Sequence, residues 1–305
     1  MGNLTELVEP GPIPATPTAE AIEALRAEPR YRQAIAAAVA DTVEYYQGRW
    51  LAHRVLNDRA RFIMASVMLY LHFTRREDVA NSGLTATRLR EICVGIGLCS
   101  GGRVEAMLLM MRASGFLERA KDAGDLRMRR YVPTAKLHDL NRERQRRLLQ
   151  AIDILRGTTA YAPQICAESN LARYRPFVVA LGRGFLAGFR IVQPTPVLLR
   201  IIDRDVGLPL MMCIFLTSQE YSEFCPQALQ NVSVAALARR FEVSRVHVRS
   251  VLRAAESAGL LLRNEDTAQV RALPPLVDAI EKFFGNAFLY TESCAKIALA
   301  ETAGG

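Results

Sequence analysis

The amino-acid sequence repeats itself, and the repeat limits the folds open to this chain more than any other feature. Leu84-Thr-Ala-Thr-Arg-Leu89 is echoed by Val232-Ser-Val-Ala-Ala-Leu237, Ser100-Gly-Gly-Arg-Val104 by Ser244-Arg-Val-His-Val248, and Gly115-Phe-Leu-Glu-Arg119 by Gly259-Leu-Leu-Leu-Arg263. The offset is 148 residues at the first pair and 144 at the other two, so four extra residues lie within 94–98 of the first copy. Two copies of one unit are therefore expected to fill most of the 305 residues.

Each copy carries the same order of local signals. A short helix is predicted over 85–93 and over 233–241, then a turn, then Ser100 or Ser244, whose hydroxyl suits the N-cap of a second helix. Val104, Met107, Leu108 and Met111 recur at i, i+3, i+4, i+7, as do Val248, Val251, Leu252 and Ala255, and each set predicts one inward stripe. Gly115 and Gly259 stand where a helix end favours a residue free to take positive φ. A short apolar strand, a polar turn, a second strand, Pro133 or Pro274 and a long helix follow. In the first copy the turn is Asp122-Ala-Gly-Asp125, a hairpin signal. The expected fold is mainly α with small β-hairpin wings, as tandem winged helix-turn-helix lobes.

Charge adds a partner to this architecture. Between 84 and 147 there are 14 basic and 7 acidic residues, so +7 of the chain's net +8 lies in about a fifth of its length. Such concentration is the footprint of a polyanion-binding surface rather than of a uniformly solvated coat. Lysine occurs only at 121, 136, 282 and 296, which leaves 35 of 39 basic residues as arginine, the better fork for phosphate and guanine.

Other classes find little support. The six cysteines are scattered with no Cys-x-x-Cys pair, and His53, His72, His138 and His247 never fall at metal-ligand spacing, so neither a metal nor a cofactor is expected. With no phosphate loop or nucleophile–base spacing, an enzyme is not expected. The longest apolar run, 206–216, contains Gly207 and Pro209 and falls short of the roughly 20 residues that span a membrane. The N-terminus carries Glu6, Glu9 and four prolines in place of an export signal, so a cytoplasmic protein with no membrane partner is expected.

The first copy resembles the multiple-antibiotic-resistance regulator (MarR) family from about 59 to 139. That family's wing signature is Asp-x-Arg, five residues, then Leu-Thr; here Asp125-Leu-Arg127 is followed after five residues by Pro133-Thr134, a departure at the leucine. Gly115-Phe-Leu-Glu-Arg119 also fits, while the second copy lacks the Asp-x-Arg signature and is related through the repeat. The resemblance implies homodimers with intertwined terminal helices whose recognition helices enter successive major grooves of a near-palindromic operator. A chain about two family units long then reads as an intramolecular pseudo-dimer. Its expected parts are a disordered Pro-rich arm (1–18), a first lobe (19–156), a linker (157–166) and a second lobe (167–305), with a helical dimerisation layer from 30–48, 134–156, 168–190 and 275–300.

Recognition helices reach bases with their N-terminal part and outer face. The candidate DNA-binding residues are Ser244, Arg245, His247, Arg249 and Arg253 in the second copy, and Ser100 and Arg103 in the blander first helix. Lys121, Arg127, Arg129 and Arg130 belong to the first wing. Arg142, Arg144, Arg146 and Arg147 read equally well as the wet side of a layer helix. The leading expectation is a sequence-specific transcriptional regulator of double-stranded DNA. The resemblance adds a repressor's small aromatic ligand, bound between the layer helices and the winged lobes, where segments 62–73 and 208–216 offer apolar residues. A tandem winged-helix adaptor of a chromosome-organising complex and a plasmid-type replication initiator are the alternatives.

Overall fold

A computed structural model describes residues 10–46, 59–79, 82–120, 130–224, 232–264 and 269–303. Over these residues the chain is mainly helical, with two small antiparallel hairpins. Helix α1 spans Ala19–Arg26, α2 Tyr31–Tyr45 and α3 Arg59–Phe73. The first repeat then supplies α4 (Ala86–Gly95), α5 (Gly101–Ala113), β1 (Leu117–Arg119), β2 (Tyr131–Pro133) and α6 (Ala135–Arg156). After α7 (Tyr161–Cys166), α8 (Leu171–Leu186) and the short α9 (Leu199–Ile202) come α10 (Gly207–Phe215), α11 (Val234–Arg240) and α12 (Arg245–Ser257). The chain ends with β3 (Leu261–Asn264), β4 (Gln269–Ala272) and α13 (Pro274–Ala303).

Local chemistry sets these boundaries. Thr85 and Ser233 cap α4 and α11, their hydroxyls accepting from the amides of Arg88 and Ala236 at 3.1 Å. Both i, i+3, i+4, i+7 stripes of α5 and α12 are buried. Gly115 and Gly259 take φ of +71° and +68°. In this left-handed turn Phe116 N donates to Met111 O (2.8 Å) and Leu260 N to Ala255 O (3.0 Å), satisfying carbonyls that the helix ends leave open. The hairpins pair in register, Leu117 with Pro133 and Arg119 with Tyr131 in one, Leu261 with Ala272 and Asn264 with Gln269 in the other. A third segment joins the first hairpin: Thr85 bridges Arg130, and Tyr131 N donates to Leu84 O at 2.8 Å.

The long helices tie the two copies together by exchange. Helix α2 packs on α6 of its own copy and on α10 of the other, while α8 packs on α13 of its own copy and on α3 of the other. Each sends a tyrosine across. Tyr31 donates to Glu281 O at 2.6 Å, and Tyr174 to Asn141 Oδ1 at 2.8 Å. Buried phenol rings lose water only if the hydroxyl finds a partner, so these bonds fix helix rotation as well as contact.

Two boundary expectations need correction. Residues 157–166, read as a linker, contain α7, whose Ala162, Ile165 and Cys166 are buried. The buried Asp153 carboxylate anchors it by accepting from Tyr161 N and Ala162 N at 2.9 and 3.0 Å. Residues 10–18, read as part of a disordered arm, lie on the body: Pro14 is buried, Arg183 donates to Pro10 O at 2.9 Å, and Thr18 caps α1. No helix among the described residues is long and apolar enough to cross a membrane.

Candidate nucleic-acid interface

Helix α12 is built to present one face. Ser244 caps it, its Oγ accepting from His247 N at 3.1 Å, and the buried stripe of Val248, Val251, Leu252 and Ala255 fixes its roll. Arg245, Arg249 and Arg253 are thereby left exposed at i, i+4, i+8. Among the described residues no carboxylate pairs with any of the three, so their guanidinium groups keep their donors for a guest. Val246, beside them, is 74% exposed.

His247, expected in the same set, turns away. Its ring is half-buried and Nε2 lies 2.8 Å from the carbonyl oxygen of Asp205, so Nε2 carries the donated proton. Beside it Arg204 donates to Ser250 Oγ at 3.1 Å. Residues 204–205 thus brace α12 from the side.

The equivalent surface of the first copy is plainer. Ser100 occupies the N-cap position of α5 but its side chain makes no capping bond. Arg90 forms an ion pair with Glu105, which quenches charge between α4 and α5. The outward positions are Gly102, Arg103, Glu105, Ala106 and Leu109, the last 67% exposed. Arg130 is half-buried where the hairpin meets Thr85, while Lys121, Arg127 and Arg129 lie outside the described residues. In the second hairpin Arg263 is folded back on Glu256, donating from Nε and Nη2 at 2.8 and 2.5 Å. That pairing holds the Glu256 carboxyl below its usual range.

Part of the basic cluster is engaged by rings and carboxylates of the protein itself. The Arg144 guanidinium sits 3.7 Å above the Phe62 ring, and Arg142 lies 4.7 Å over Tyr174. Arg146 and Arg147 bind Glu143 at 2.7 Å. A charge sum over 84–147 therefore overstates the outward field.

A cavity of about 100 Å³ has Leu208, three residues after Asp205, in its wall. Thr42 and Tyr45 of α2 with the adjoining Tyr46, Arg144 and Arg147 of α6, Leu208 and Met212 of α10, and Phe283 and Phe284 of α13 line it. It meets one of the two expected clefts, at 208–216. At the other, 62–73, Ile63, Met64 and Val67 through Leu71 are buried, and Phe62 meets Phe185 edge-on at 5.8 Å. Between cavity and brace stands Val206, a β-branched residue at φ +47°, ψ +17°.

Sequence reasoning missed Arg204, Asp205 and Val206. The signal available was Gly207 and Pro209 at the head of an apolar run, which marks a turn into a helix but not its neighbour. Among the described residues no group of three or more His, Cys, Asp or Glu is placed to hold a metal ion. Set beside known proteins, the chain matches no family model, no curated protein and no solved structure.

Proposed function

We propose that this chain is a sequence-specific DNA-binding transcriptional regulator, with two winged helix-turn-helix units of MarR type paired within one polypeptide. The observation that carries the reading is the line of Arg245, Arg249 and Arg253 on the outer face of a capped, firmly packed helix. Four helical residues advance about 6 Å, so the three forks are offered at successive steps along a groove. Arg245 and Arg249, nearest the N-terminus, suit bidentate contact with guanine, Val246 the thymine methyl group, and Arg253 phosphate. The bridging of Thr85 to the first hairpin supports the wing assignment. In this reading Ser100, Arg103, Lys121, Arg127, Arg129 and Arg130 hold DNA backbone. The cross-copy packing of α2 and α8 supports the pseudo-dimer.

The cavity supports a small-molecule response. Aromatic walls and the Arg144 guanidinium, which has no carboxylate partner among the described residues, suit a small flat anion with an aromatic body. A guest that displaces Leu208 moves the chain two residues after Val206, and with it the Arg204–Asp205 hold on α12.

Selection of bound fragments from genomic DNA tests the reading. The expected result is one imperfectly palindromic site occupied by one chain. Two chains per site, each using one copy, would overturn the pseudo-dimer. The bland outer face of α5 favours one alternative, a protein-docking adaptor; failure to enrich any duplex would select it.

A further inference from the structure

Five residues lie between Cys93 and Cys99, yet the fold brings the two back beside each other. The chain between them doubles back, with Leu98 N and Cys99 N both donating to Cys93 O at 2.9 and 3.4 Å. The four residues that the second copy lacks lie in this turn. Phe241 and Val243 occupy the corresponding positions there, so the thiol pair belongs to the first copy alone. Its place is mechanically sensitive: Cys93 lies in the last turn of α4, and Cys99 immediately precedes Ser100, the α5 N-cap position that lacks a side-chain bond. Cys166, Cys213 and Cys294 lie buried on three separate helices.

We propose that Cys93 and Cys99 are a peroxide-responsive thiol pair whose reversible disulfide resets the start of α5. Cys99 is half-exposed and Cys93 fully buried, which divides the roles. The Cys99 thiolate attacks one peroxide oxygen; the O–O bond breaks, leaving a sulfenic acid on Cys99 and a hydroxide that is protonated to water. The Cys93 sulfur then attacks the sulfenic sulfur, the S–O bond breaks, and the departing oxygen leaves as water with the Cys93 proton. Two thiols are oxidised to a disulfide and one peroxide is reduced to two waters; a dithiol reductant reverses the step. Burial pushes the Cys93 thiol up to about 12, so it waits protonated and resists direct oxidation. A disulfide needs the sulfurs at about 2.05 Å, closer than any non-bonded contact. Closing that gap draws Cys99 off Met64, whose sulfur lies 3.9 Å away, and pulls on the uncapped end of α5.

The test uses the full chain treated with hydrogen peroxide, alkylated and digested with trypsin. Both cysteines fall in one peptide, residues 91–103, expected lighter by two hydrogens, unalkylated, and restored by dithiothreitol. Backbone amide exchange at 100–104 should change at least about fivefold in the oxidised form. Cys99→Ser should abolish both changes, and Cys166→Ser should leave them. The proposal is overturned if both thiols remain alkylatable, if Cys99 proceeds to sulfinic acid, if the disulfide joins other cysteines, or if exchange at 100–104 is unmoved. None of these readouts depends on DNA binding.

Discussion

The two copies share a backbone plan and differ in what each turns outward and what each holds inside. The second copy turns three arginines, without a carboxylate partner among the described residues, to solvent on α12 and folds its hairpin arginine back onto Glu256. The first copy presents glycine, alanine and leucine on α5, and several of its basic residues lie on rings or carboxylates of the layer. The cross-copy clamps differ in the same way. At the second-copy end, Glu281 accepts from Tyr221 at 2.7 Å and from Arg26 at 2.5 and 3.1 Å. At the first-copy end, Tyr174 meets neutral Asn141, and the His72 and His138 rings lie 5.6 Å apart beside Phe73. One repeated scaffold has thus been held by an ionic clamp at one end and a neutral clamp at the other.

The ionic clamp should be the more expensive to break. Glu281→Ala leaves Arg26 partly buried with weaker partners and removes the acceptor of Tyr221, an expected loss of about 3–5 kcal/mol. Asn141→Ala, at the neutral clamp, should cost only about 1 kcal/mol. Urea unfolding of both variants decides the matter, and equal losses would erase the distinction between the clamps.

Acid should strike the other end. Burial, then His138 and the nearby Arg130, Arg175 and Arg75 guanidiniums, push His72 from 6.5 down to about 4. Burial and Arg142 lower His138 as well, against the opposing charge of Asp139. The fold favours neutral His72, so its contribution is fully present above pH 6.5 and is lost as pH falls from 6.5 toward 4, by about 3 kcal/mol. His72→Phe should flatten the stability profile across that window. A profile unchanged by the substitution would place acid sensitivity elsewhere.

On DNA the contrast should invert, with the second copy carrying discrimination. Arg245→Ala or Arg249→Ala should cost roughly 1–3 kcal/mol on the selected site and little on scrambled duplex. Arg103→Ala should weaken both duplexes alike and lower the salt slope by about 1. Anisotropy titrations over a range of salt separate these outcomes; identical losses from both copies would show that the helices are used alike.

Sequence periodicity made the first half of this comparison legible. The stripes of α5 and α12, the glycines after them and both hairpins follow from residue spacing, because each copy buries its own face locally. What it could not register was coverage from distant segments. His247 looked like a DNA contact since nothing within its helix hides it; the hiding group, Asp205 O, lies 42 residues earlier. Arg144 looked solvated for the same reason, its ring partner Phe62 arriving from another helix. Segment 157–166 looked like a linker because the group that anchors its helix, the Asp153 carboxylate, lies inside the preceding helix. Cys93 and Cys99 meet only because an inserted turn folds back.

The smallest expected effect concerns the joint that sets the second copy apart. Val206 holds a left-handed backbone that costs an L-residue about 1–2 kcal/mol, more when β-branched. It stands between Leu208 in the cavity wall and the Arg204–Asp205 brace on α12. Val206→Gly relieves the strain but adds freedom to the unfolded chain worth about 0.5–1 kcal/mol, so the net gain should be about 1 kcal/mol or less. Stability should rise while coupling falls: a fluorescent naphthoate probe should still enter the cavity, yet shift DNA affinity less than in the parent chain. Glu242→Gly, at φ +54° in the turn between α11 and α12, is the control. It removes left-handed strain without touching cavity or brace, so it should stabilise and leave the probe's effect on DNA intact. If both variants transmit the probe equally, Val206 is only a tight turn, and the route from cavity to α12 must run through the packed helices instead.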